Sequence, residues 1–181
     1  MDVTVADISI INDILFGLLK ELENLTVFKN SAKDDSLADL LEEQWETHIA
    51  NYNALLNLLH AEPFAQPKGH DLVPLATIRS KTEVHDMMPD IQSLSADDRL
   101  IAYSHFLAVS RAGREYGWHV FDVTYLPLAE YLEKTVHLYI HDARTLKAWI
   151  AERGYYLIQW ASAEQVSLLQ QVFVSLLPTS P

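Results

Sequence analysis

Cysteine is absent from the 181 residues. That excludes a disulfide scaffold, a cysteine nucleophile, and thiolate zinc or iron–sulfur ligation, leaving His, Asp and Glu as the strong metal ligands. Positive charge is scarce: 13 Lys plus Arg stand against 25 Asp plus Glu, for a net charge of −12 and a pI near 4.9. A chain of that sign repels phosphate backbones and anionic lipid, which argues against nucleic-acid and membrane-surface roles. The five glycines are too scattered to cradle a phosphate. The Gly-x-Gly-x-x-Gly, Walker and Gly-x-Ser-x-Gly patterns are all missing. Long hydrophobic runs are missing too, because Gln and Ser break the longest uncharged stretch, 165–181. Residues 1–7 carry no basic segment of the kind that opens a secretory signal. A soluble, cytoplasmic protein is expected.

Apolar residues make up 49% of the chain and charged residues 21%, ordinary usage for one folded domain over 1–181. Its pattern is helical. Thr4-Val5-Ala6-Asp7 has the form of a capping box, and Ile8, Ile11, Leu15, Leu18, Leu19 and Leu22 recur at helical spacing, so helix 1 is expected over 6–29. Ser36-Leu37-Ala38-Asp39 repeats the cap before a 4,3,4,3,4 seam of Leu41, Trp45, His48, Tyr52, Leu55 and Leu59, which predicts helix 2 over 36–61. Pro63, Pro67, Gly69, Pro74 and Pro89 then dissolve the pattern, and 62–94 reads as a long crossover. Ser95-Ala96-Asp97-Asp98 caps helix 3, with Leu100, Tyr103, Ser104, Leu107 and Arg111 along it and Gly113 and Gly117 weakening its end. Residues 120–125, β-branched and aromatic, read as a short extended connection. Pro127 suits the first turn of helix 4, which runs to 152 or 153 with Gly154 as its cap. An apolar hinge at 155–160 leads to a last helix capped by Ser162-Ala163-Glu164-Gln165. Fold class is all-α: an up-down-type four-helix bundle with a long helix 2–3 crossover and an extra C-terminal helix within the extension 155–181. The apolar side of that last helix, Val166, Leu169, Val172, Phe173, Leu176 and Leu177, must cover the bundle or pair with a second copy, so a homodimer is expected.

Eight histidines carry the chemistry that the missing cysteines cannot. His60, His70 and His85 border or occupy the crossover; His105 and His119 lie in and after helix 3. His48 falls in the helix 2 seam itself, where an unpaired polar group costs about 1–3 kcal/mol, so it needs a hydrogen-bond partner or a ligand. His137 and His141 are four apart, the helical spacing at which two imidazoles reach one ion. His48, His137 and His141 together would form an open three-histidine metal site for zinc, nickel or iron. On the helical wheel Glu130, Glu133, Lys134 and Arg144 share the His137/His141 side, which leaves a solvent-facing pair as the other reading. The Glu-x-x-His repeat of di-iron bundles is absent, since the spacing is Glu133-x-x-x-His137.

Trp45-Glu46-Thr47-His48-Ile49 on helix 2, a long crossover, and a Leu-rich fourth helix with His137-Leu-Tyr-Ile-His141 resemble the DinB/YfiT-like superfamily of metal-binding four-helix bundles. The resemblance covers roughly 6–153 by topology and three short stretches by residue. It implies divalent-metal ligation by His48, His137 and His141, and thiol-dependent transferase or isomerase chemistry with a small thiol as partner. Asp142-Ala143-Arg144 replaces the Gly-Gln that often follows the second family histidine, and a register through His141 and Thr145 aligns equally well. The competing reading is a non-catalytic acidic interaction protein of inhibitor, immunity or chaperone type. It would use Asp34, Asp35, Asp39, Glu42, Glu43 and Glu46 against a basic protein and bind no metal.

Overall fold

Two threonines and one aspartate close the lower end of the molecule. Thr4 caps α1 (Val5–Ser31) in a reciprocal capping box with Asp7, as the sequence predicts. Asp7 also accepts from the backbone N–H and the hydroxyl of Thr124 at 2.9 and 2.8 Å, which ties the start of α1 to the corner between α3 (Ala96–Asp122) and α4 (Leu126–Glu152). At the opposite end Lys33 N–H donates to Asp98 near the start of α3. There Arg153, past the end of α4, pairs with Asp34 beside the start of α2 (Asp35–Leu59) at 2.8 Å. These ties fix direction. α1 and α4 run one way, α2 and α3 the other, and every neighbouring pair is antiparallel in a ring of order α1, α2, α4, α3.

The computed structural model describes residues 3–59, 96–156, 159 and 161–175. Within them all five elements are helices and none is a strand. The crossover expected at 62–94, the Ser95 cap, and His60, His70 and His85 lie outside the described residues.

The five expected helices are all present, with shifts at their ends. α2 opens on Asp34, not Ser36: the Asp34 carboxylate accepts from the Ser36 and Leu37 N–H groups. Ser36 Oγ instead accepts from Trp149 Nε1 at 3.0 Å and from Arg153. α3 passes straight through Gly113 and Gly117 to Asp122, leaving only residues 123–125 between helices where a six-residue extended connection was expected. Close packing explains Gly113, because a Cβ there would sit 3.0 Å from Tyr139 Cβ. Gly154 ends α4 at φ +74°, the left-handed conformation that favours glycine.

The core runs along Ile11, Ile14, Leu18 and Leu25 of α1, Leu37, Leu41, Leu55 and Leu58 of α2, Ile101, Ala102 and Val109 of α3, and Leu128, Leu132, Leu146 and Ile150 of α4. The face expected for α3 is corrected: Leu100 and Leu107 are exposed, and the small Ala102 turns inward because α3 packs tightly on α4. α5 (Ala163–Ser175) has the expected Ser162/Gln165 capping box, yet its described side chains, Val166, Leu169, Val172 and Phe173 included, are exposed. No described helix is long and apolar enough to cross a membrane.

Candidate functional site

The apolar seams of all four bundle helices are interrupted at one level. Glu21 falls between Leu18 and Leu25 on α1, Gln44 and His48 between Leu41 and Leu55 on α2, His105 between Ala102 and Val109 on α3, and Asp142 between Leu138 and Leu146 on α4. Helical spacing of three and four residues points all of them inward, so they meet in a polar layer across the bundle.

His48 is its centre. The side chain is fully buried, and Nε2 donates to Asp142 Oδ2 at 2.7 Å while standing 3.7 Å from Glu21 Oε1. Burial alone pulls the imidazole pKa down; the charge of Glu21 and the hydrogen bond and charge of Asp142 overcome it and push His48 up to about 9. His48 is therefore an imidazolium at neutral pH. Burial opposes ionisation of Asp142 as well, but the hydrogen bonds from His141 and His48 and the His48 charge hold it below the usual carboxylate range. Glu21 goes the other way: burial raises it, only partly offset by His48 and by the Tyr139 hydroxyl, which donates to Oε2 at 2.5 Å. A buried charge left without its partner costs several kcal/mol, so the layer stands or falls as a unit.

A second strand of the same layer is neutral. Burial, reinforced by the nearby His48 charge, depresses His105 to about 4. Neutral His105 donates from Nε2 to Gln44 Oε1 at 2.7 Å, because that oxygen can only accept. Gln44 Nε2 donates onward to Thr145 Oγ1 and the Asp142 carbonyl, at 3.2 and 3.4 Å.

Two cavities flank the layer. One of about 400 Å³ opens between α1 and α3, with Glu21, His105, Tyr116, His119 and Tyr139 in its wall. The other, of about 310 Å³, lies between α2 and α4 and is lined by Asp39, Glu43, Gln44, His141 and Asp142 among others. Two buried polar atoms without a hydrogen-bond partner, Glu21 Oε1 and His119 Nδ1, belong to residues of the first cavity. Such orphans are rare in native proteins and call for an explanation. Tyr116 and Tyr139 stand with ring centroids 5.0 Å apart at 59°, forming an aromatic corner beside Glu21.

Of the three histidines expected to hold a metal, His48 and His141 both contact Asp142, at 2.7 and 3.5 Å. His137 is exposed, and lies roughly 140° round α4 from Asp142, as five residues at helical pitch require. The structure does not bring His137 into the layer: the inward position of α4 at this level belongs to Asp142, which is bonded to His48 Nε2. Among the described residues no group of three or more His, Asp and Glu is placed to hold a metal. Of the acidic run on α2, Asp34 is paired with Arg153 and Glu42 with Lys29, while Asp39 and Glu43 line the α2–α4 cavity. Sequence reasoning found His48 but missed Glu21, His105 and Asp142. The signal was there, since each interrupts an apolar seam as His48 does.

No known protein family, curated protein or solved structure matches the chain.

Proposed function

We propose that this bundle binds a small polar molecule in the α1–α3 cavity and exchanges a proton with it through Glu21. The observation that carries this reading is the pair of partnerless buried polar atoms, on Glu21 and His119, in one cavity of about 400 Å³. That volume suits a small ligand, and convergent polar groups in a concave site are what fix such a ligand's orientation. Glu21 has the properties of an acid–base group: its carboxyl is raised toward neutrality by burial, and its side chain is 11% exposed. Tyr139 and the His48–Asp142 pair stand behind it as positioning residues, holding one carboxylate oxygen and keeping the other near a positive charge. His48 itself is sealed from the cavity side by full burial, so it acts through Glu21.

A thermal-shift screen of small polar fragments tests this. A ligand at tenfold its Kd is expected to raise the Tm of the wild type by about 3–6 °C. Glu21→Gln, which keeps the shape and removes the charge, is expected to lose most of that shift. Fragments that stabilise both proteins equally, or a screen that stabilises neither, would sink the reading.

A further inference from the structure

The buried layer is paired unevenly. Two carboxyl groups, Glu21 and Asp142, share one histidine, His48, while His105 is bonded to Gln44 instead. Asp142 takes the stronger share at 2.7 Å, and Glu21 is left at 3.7 Å with Oε1 lacking a hydrogen bond. The rest of the cavity wall does not correct this. Arg111 is paired with Glu115 at 2.7 Å, and Asp13 and Lys20 balance each other in sign. The same wall carries three aromatic rings, those of Phe28, Tyr116 and Tyr139.

From this uneven pairing and these walls we infer that the ligand of the α1–α3 cavity is a small organic ammonium ion, held by Glu21 Oε1 and by the faces of Tyr116 and Tyr139. An ammonium group supplies the N–H donors that a lone carboxylate oxygen needs, in a charge-assisted bond stronger than a neutral one. The aromatic rings attract the same cation through their negative faces. Its charge gives Glu21 the close partner that His48 gives Asp142. A neutral alcohol donates to the same oxygen but brings no charge to it or to the rings. Gly17, in the cavity wall, has nothing within 4 Å of where its Cβ would be, which leaves that side of α1 open for the ligand's apolar part.

This inference rests on the small-molecule reading above, and its test separates the two. Three isosteric probes, n-butylammonium, n-butanol and butyrate, are titrated against the full chain by calorimetry at about pH 8, where the amine is charged. Butylammonium is expected to bind at least roughly tenfold more tightly than either of the others. Glu21→Gln is expected to remove that preference. Gly17→Leu provides a control for misfolding, because it puts a good helix former in α1 while obstructing the cavity; it is expected to abolish binding with no fall in Tm. Butanol or butyrate binding as tightly as butylammonium would overturn the ammonium inference and leave the small-molecule reading standing. Failure of all three probes to bind would overturn the ammonium inference, and the fragment screen then decides the broader reading by itself.

Discussion

Two glycines in helix interiors show how one missing methyl group means different things at different positions. Gly17 has open space where a Cβ would go, so Gly17→Ala is expected to stabilise the protein by about 0.5–1 kcal/mol through helix propensity alone. Gly113 faces Tyr139 Cβ at 3.0 Å, an atom fixed to the α4 backbone that cannot swing aside. Gly113→Ala is expected to lose about 1–2 kcal/mol, as overpacking outweighs the propensity gain. Urea unfolding of both variants checks the pair, and a stabilised Gly113→Ala would mean that α3 and α4 are free to move apart. The sequence showed neither difference, because a glycine's role depends on what faces it across the interface. The same limit governed the site. His48 was legible because a histidine between Trp45 and Tyr52 contradicts an apolar seam. Asp142 was not singled out because His137 and His141 drew attention to the neighbouring side of α4, about 100° away. Glu21 is harder to see because the α1 pattern of Ile8, Ile11, Leu15, Leu18, Leu19 and Leu22 mixes the buried Ile11 and Leu18 with the exposed Ile8 and Leu19 and stops short of the buried Leu25.

Helix ends in this protein also serve as joints between helices. Asp7 completes the capping box of α1 and receives Thr124 from the α3–α4 corner, and these hydrogen bonds overcome burial to hold its carboxyl well below the usual range. Asp7→Ala is expected to cost about 2–4 kcal/mol, more than the ~1 kcal/mol of an ordinary lost cap, because a bond to a charged group across two elements goes with it. Thr124→Val should cost less than Asp7→Ala, and chemical denaturation of the two reads the difference. Equal losses for Asp7→Ala and a plain Thr4→Ala cap variant would show that the Thr124 joint contributes nothing. Local signals predicted the Thr4/Asp7 and Ser162/Gln165 boxes because a capping box is complete within four residues. They misplaced the start of α2 for the converse reason. Asp34, Asp35 and Ser36 are all competent caps, and the choice fell to Asp34 once Ser36 was engaged by Trp149 and Arg153 from the far end of α4. No window of local sequence contains that information.

At the scale of the whole molecule, the buried layer sets how stability varies with pH. His48 is raised from its ordinary 6.5 to about 9, so its stabilisation is complete below pH 6.5 and is lost as pH rises through 9. His105 is depressed from 6.5 to about 4, so it stabilises above pH 6.5 and that contribution is lost as pH falls through 4. Each shift corresponds to a swing on the order of 3 kcal/mol. Below pH 4 the lowered carboxyls of Asp7, Asp34 and Asp142 add a further loss as they take up protons. Glu21 works against that acid limb, since a raised carboxyl favours the fold below its ordinary 4.5 and loses this as pH rises through its folded value. The balance is a stability maximum at about pH 6.5, where His48 is charged and His105 neutral. Urea unfolding across about pH 4–10 should trace that dome, with both limbs set by histidines. His48→Gln is expected to flatten the alkaline limb and to shrink, but keep, the acid limb, which burial of His105 sets; His105→Gln is expected to flatten the acid limb and keep the alkaline one. The slopes are what decide it. An alkaline limb that survives His48→Gln would mean that the imidazolium is not the centre of the layer, and the pairing of Glu21 and Asp142 around it would lose its basis.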